Sequence, residues 1–62
     1  MNKDILKGQW GQLKGKAREQ WGDLTEDDIE KINGNYEQLV GRIQERYGVE
    51  KEKAKQMVED WN

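Results

Sequence analysis

Apolar residues recur along this chain at the three- and four-residue steps of a helix, and no stretch alternates with the two-residue step of a strand. Leu6, Trp10, Leu13, Ala17 and Trp21 form one such stripe and predict a helix from Lys3 to Trp21. Asp4 lies in its favourable first turn, and Gly22 is a natural stop. Gly8, Gly11 and Gly15 share one side of this helix, and each costs roughly 1 kcal/mol against Ala in a helix interior. The helix is therefore expected to depend on docking. Two accounts of the glycines follow: close approach of another helix or of a chain terminus, or a hinge or partly disordered helix.

A short second helix is predicted from Glu26 to Ile32, with Thr25 as N-cap and Asp28 in the reciprocal position of a capping box. Glu26, Asp27 and Asp28 complement the helix dipole there, Asn33-Gly34 ends the element, and Leu24, Ile29 and Ile32 face inward. The third helix runs from Tyr36 to Tyr47, burying Tyr36, Leu39, Val40, Ile43 and Tyr47, with Gly48 as C-cap. The fourth begins near Val49 or Glu50 and continues to Trp61, burying Ala54, Met57, Val58 and Trp61. Short linkers suit helices packed on one another. The expectation is an all-α domain spanning 1–62.

Composition narrows the chemistry. With 62 residues, 32% of them apolar and 39% charged, three Trp and two Tyr must carry most of the burial. There is no Cys, His, Ser, Pro or Phe. A zinc site of Cys and His, a thiol nucleophile, a Ser–His triad and a disulfide framework therefore lack their atoms. No apolar run approaches the ~20 residues that cross a bilayer. Met1-Asn2-Lys3-Asp4 does not open a signal peptide, so an intracellular protein is expected.

Charge is unevenly spread. The chain through Gly22 carries a net +3, Asp23 to Gly34 a net −4, and the remainder is close to neutral, within a total of −2. On a helical wheel Lys3, Lys7, Lys14 and Arg18 fall within a sector of about 60°, beside the apolar stripe on the side of Trp10 and Trp21. Cations beside aromatic rings suit single-stranded nucleic acid, with phosphates on the cations and bases on the rings. Against that, the pI of about 5.1 lies far below the ~9 of dedicated nucleic-acid domains. The Trp positions also match the core register. A membrane-surface helix is disfavoured because the core needs the same apolar face.

The acidic residues Asp23, Glu26, Asp27, Asp28 and Glu30 lack the alternating ligands, central Gly and terminal bidentate Glu of a calcium loop. No metal, cofactor or small-molecule substrate is expected. An acid–base carboxylate pair needs one member in an apolar pocket, for which there is little material, so no enzyme is expected.

Two blocks carry a family resemblance. Lys14-Gly15-Lys16-Ala17-Arg18-Glu19-Gln20-Trp21-Gly22-Asp23-Leu24-Thr25-Glu26-Asp27-Asp28 resembles the first signature of the CsbD-like family of small bacterial proteins. Leu39-Val40-Gly41-Arg42-Ile43-Gln44-Glu45-Arg46-Tyr47-Gly48 resembles its second, in matching order and spacing. The resemblance covers nearly the whole chain. It implies a compact bundle of about four helices, two hairpins packed crosswise in a SAM-domain-like arrangement, in a cytoplasmic protein of the general stress response. It implies no reaction and brings no catalytic or binding residues.

Three functional expectations follow. A mean hydropathy of −1.30 with seven Gly resembles hydrophilin-type protectants, which shield other macromolecules weakly through a hydrated surface. The rival is a binding module whose basic residues Lys3, Lys7, Lys14 and Arg18 contact nucleic acid or an acidic protein. A monomer is expected. The third reading is self-association through the Gly8, Gly11 and Gly15 face.

Overall fold

The computed structural model describes residues 1–61 and forms five helices: α1 (Lys3–Gly8), α2 (Trp10–Gln20), α3 (Glu26–Ile32), α4 (Tyr36–Tyr47) and α5 (Lys51–Glu59). Among the described residues there is no strand. The helix expected to run unbroken from Lys3 to Trp21 is two, with Gln9 between them at φ −119°, ψ 20°. Gln9 serves both pieces. Its N–H donates to the Ile5 carbonyl, and its own carbonyl accepts from Gln12 and Leu13, each at 2.9 Å.

The break has a visible cause. Gly34, at φ +80°, presses the turn between α3 and α4 into the notch where α1 gives way to α2. A Cβ built on Gly34 would lie 3.1 Å from the Trp10 Cβ, 3.2 Å from the Lys7 Cα and 3.3 Å from the Leu6 carbonyl. Close approach by a glycine, one of the two accounts of Gly8, Gly11 and Gly15, therefore occurs at Gly34 instead. At those three positions an added Cβ would meet nothing within 4 Å.

Local signals act as the side chains dictate. The Thr25 hydroxyl accepts from the Asp28 N–H at 3.1 Å, and the Asp28 carboxylate accepts from the Thr25 N–H at 3.0 Å, completing the capping box of α3. Asn35 caps α4 by accepting from the Gln38 N–H at 3.0 Å, and Gly48 closes that helix in the left-handed region. α5 is shorter than expected, and Trp61 follows it rather than ending it.

Successive helices from α2 onward run in opposite senses. Arg18 near the end of α2 meets Glu26 at the start of α3. Arg46 near the end of α4 meets Asp28 near the start of α3, and the Tyr36 hydroxyl at the start of α4 reaches Glu59 at the end of α5. α4 touches α1, α3 and α5, and its residues Leu39, Val40 and Ile43 lie fully buried. Around them gather Leu6, Trp10, Ala17, Trp21, Leu24, Ile29, Ile32, Tyr36, Ala54, Val58 and Trp61. The Trp21 and Trp61 rings meet edge to face, 4.9 Å between centroids and 65° between planes. Leu13, Tyr47 and Met57, expected in the core, are only half-buried at its margin. At Tyr47 the reason is polar: its hydroxyl oxygen accepts from the Asp23 N–H at 3.3 Å and is held near the surface.

Candidate functional site

The four cations singled out by the helical wheel do not share one stripe, because the break at Gln9 divides the element that carried them. Lys3 turns toward the start of α4, 3.9 Å from Glu37 and 5.2 Å from the centre of the Tyr36 ring. Lys7 lines a shallow hollow with Lys31, Ile32, Asn33, Gly34, Asn35 and Gln38. Lys14 and Arg18 are brought together on one wall of a neighbouring groove, and Asn33 borders both hollows.

That groove, of about 450 Å³, lies between α2 and α3. Lys14, Gly15 and Arg18 form its α2 wall, Glu26 and Glu30 its α3 wall, and Trp10 and Ile29 line its base. The side chains follow from helix spacing. Trp10, Lys14 and Arg18 stand four apart on α2, and Glu26 and Glu30 four apart on α3. Since the helices run in opposite senses, Arg18 meets Glu26 at 3.6 Å, and the four-residue step places Lys14 and Glu30 at corresponding positions along the two walls. Neither Lys14 nor Glu30 has an ionic partner among the described residues. Gly15 keeps the wall low. The sequence separated a positive end from a negative one; the fold sets the two side by side.

The rings that would stack bases are not available. Trp10 is 8% exposed and Trp21 2%, both within the core. Base stacking needs an open aromatic face, so the wall can offer phosphates its charge but not its rings.

The most buried charge lies elsewhere. Asp28 is 1% exposed and accepts from Arg46 twice, Nε to Oδ2 at 2.7 Å and a terminal guanidinium nitrogen to Oδ1 at 3.1 Å. Arg42 stands one helical turn before Arg46, 3.8 Å from the same carboxylate and 3.0 Å from Glu45. Hydrogen bonds from Arg46, outweighing the opposing effect of burial and aided by the Thr25 N–H, hold the Asp28 carboxyl well below its ordinary 3.8, at about 2. A carboxylate so held is a poor proton acceptor at neutral pH, and its geometry is that of a bidentate lock between α3 and α4. The capping-box reading found Asp28 but not its partners. Arg42 and Arg46, four apart on α4 beside the apolar Leu39 and Ile43, were the signal that could have found them.

The other acidic residues stay dispersed. Asp27 pairs with Lys31 at 3.1 Å, and among the described residues no three carboxylates converge as a metal site would need. Nor is any described helix long and apolar enough to cross a membrane.

Comparison with known proteins agrees with the two sequence blocks. The model of the family described as CsbD-like matches residues 4–56. A UPF0337 protein of Pectobacterium atrosepticum is 62% identical over 61 residues, which cover 98% of this chain and 88% of the relative. A UPF0337 protein of Pseudomonas aeruginosa is 55% identical over 62 residues, covering 100% of this chain and 95% of its own. The UPF0337 protein YjbJ of Escherichia coli K12 is 57% identical over 61 residues, covering 98% and 88% respectively.

Proposed function

This chain belongs to the CsbD-like family, and on that premise we propose a non-enzymatic role in the bacterial general stress response, exerted in the cytoplasm through a hydrated surface. The protein shields other macromolecules by weak, non-specific contact in the manner of a hydrophilin. The observation that carries this reading is the makeup of the exterior. Among the described residues Ile5, 46% exposed, is the one large apolar side chain left in solvent, and the rest of the outer surface is overwhelmingly charged or amide. A surface with so little apolar area has almost nothing with which to bind a client tightly. Its charged groups instead hold water and keep neighbouring molecules apart.

The test is suppression of client aggregation on heating or drying, measured against protein mass. Protection that rises without saturation, and exceeds that of a neutral polymer at equal mass, is the expected result. Equal protection by the polymer, or a saturable stoichiometric effect, overturns the reading.

A basic binding module is the second reading, favoured by one observation: Lys7 and Lys14 carry no ionic partner among the described residues. Amide-shift titration with a short single strand at low salt tests it. Saturable shifts at Lys7, Lys14 and Arg18 that salt reverses, and that replacement of the three by Gln abolishes, would support it. A spectrum that does not move would remove it.

A further inference from the structure

The α2–α3 groove has the charge layout of a surface that recognises itself. Its α2 wall is positive through Lys14 and Arg18, and its α3 wall negative through Glu26 and Glu30. A polyanion laid along it meets the glutamates, and a polycation meets Lys14 and Arg18. The partner that satisfies both walls presents one positive and one negative row side by side, as a second copy of this groove does.

Symmetry decides the arrangement. Two copies facing each other about a two-fold axis perpendicular to the groove would set like walls together. An axis running along the groove exchanges the walls, so that each positive row lies over the partner's negative row. Positions along the groove are kept by that rotation. Lys14 and Glu30, at corresponding helical steps along the two walls, therefore come opposite one another across the interface, and Arg18 and Glu26 join a four-charge set. Helix α2 of one copy then lies antiparallel over α3 of the other.

We propose that the α2–α3 groove is a homodimerisation surface in which a second copy of this chain docks about a two-fold axis along the groove, pairing Lys14 of each copy with Glu30 of the other. The contact is weak and driven by charge. Trp10 and Ile29 in the groove are 8% and 6% exposed, so little apolar surface remains to be buried. The described surface totals 4136 Å², of which a standard interface of about 800 Å² per partner would take roughly a fifth. A concave face set on a concave face also stays wet, and long Lys and Glu side chains must bridge it. The complex forms at high protein concentration and dissolves in salt. This surface shares only Gly15 with the glycine face proposed from sequence, and it is independent of the protectant reading, since a monomer could shield clients equally well.

Reciprocal pairing allows a decisive experiment by sedimentation velocity on the full chain at low salt. The parent should associate reversibly toward millimolar concentration and revert to monomer on adding salt. Lys14→Glu and Glu30→Lys each turn two attractions into two repulsions and should weaken association by about tenfold or more. Both positions are exposed, so circular dichroism should show the helices unchanged. Mixing the two variants restores opposite charges at both cross-contacts, and the mixture should form a heterodimer that neither forms alone. The double variant K14E/E30K should again associate with itself. A parent that stays monomeric at low salt, or variants whose mixture associates no better than either component, overturns the proposal.

Discussion

Replacing Asp28 by Asn tests the one buried charge and its pH dependence together. The substitution keeps the size of the side chain and one oxygen acceptor, but sets an NH2 group among donors from Arg46 and Thr25. The magnitude follows from the carboxyl's own affinity for protons. Its displacement from 3.8 to about 2 corresponds to roughly 2 kcal/mol of preference for the ionised form in the folded state. Asp28→Asn should thus cost about 2 kcal/mol near neutral pH. Asp28→Ala, which also removes the reciprocal half of the capping box, should cost about 3 kcal/mol. The larger losses seen when a fully buried pair is broken are moderated here, because the Arg46 side chain is 38% exposed and can turn its charge to water. For a chain of this size, with about 3–9 kcal/mol in hand, either loss is readily seen. Urea unfolding followed by helical circular dichroism and tryptophan fluorescence measures both.

The sign of the pH effect is fixed by the direction of the shift. Because the carboxyl is more acidic folded than unfolded, its contribution is complete above the unfolded value of 3.8 and is lost as pH falls from there toward about 2. The gap between parent and Asp28→Asn should therefore narrow by about 2 kcal/mol over that interval, the variant having no such carboxyl to titrate. A variant within about 0.5 kcal/mol of the parent at neutral pH would refute the view that the ionised pair stabilises the fold, as would a gap that does not change with pH.

Gly34→Ala should destabilise by about 2 kcal/mol, since it strains a residue at φ +80° and drives a methyl against the backbone of α1; an unchanged urea midpoint would mean that the turn relaxes freely. Gly15→Ala should do the reverse and raise stability by roughly 0.5–1 kcal/mol, because the added methyl meets open space on a helical backbone; destabilisation would show that the groove requires a bare wall. Trp21→Ala should cost about 3–5 kcal/mol through the lost contact with Trp61 and the cavity left behind, and a melting curve like the parent's would place that ring outside the core. Thr25→Ala should cost about 1 kcal/mol as a lost cap, so that its effect and that of Asp28→Asn differ in pH dependence rather than only in size.

Much of this protein could be read from its residues in order, because helices announce themselves locally. The three- and four-residue spacing of Leu39, Val40 and Ile43, the Thr25–Asp28 box and the glycine after Tyr47 act within one or two turns of backbone. Those elements formed where the pattern placed them. The two family blocks were likewise a matter of adjacent residues. What escaped involved residues distant in sequence. Gln9 became a break because Gly34, far along the chain, fills the notch beside it; the hinge account of Gly8, Gly11 and Gly15 allowed a break in this helix but did not say at which of them it would fall. Asp28 looked like a cap, and its burial beneath Arg42 and Arg46 appeared only when α4 folded back over α3. The basic cluster was a wheel drawn on a helix that does not continue, so tertiary packing dispersed Lys3 and Lys7 and set Lys14 and Glu30 on the two walls of one groove. Periodicity states which face of a helix is apolar; which other helix covers it, and which charges then face each other, depends on contacts that no single segment contains.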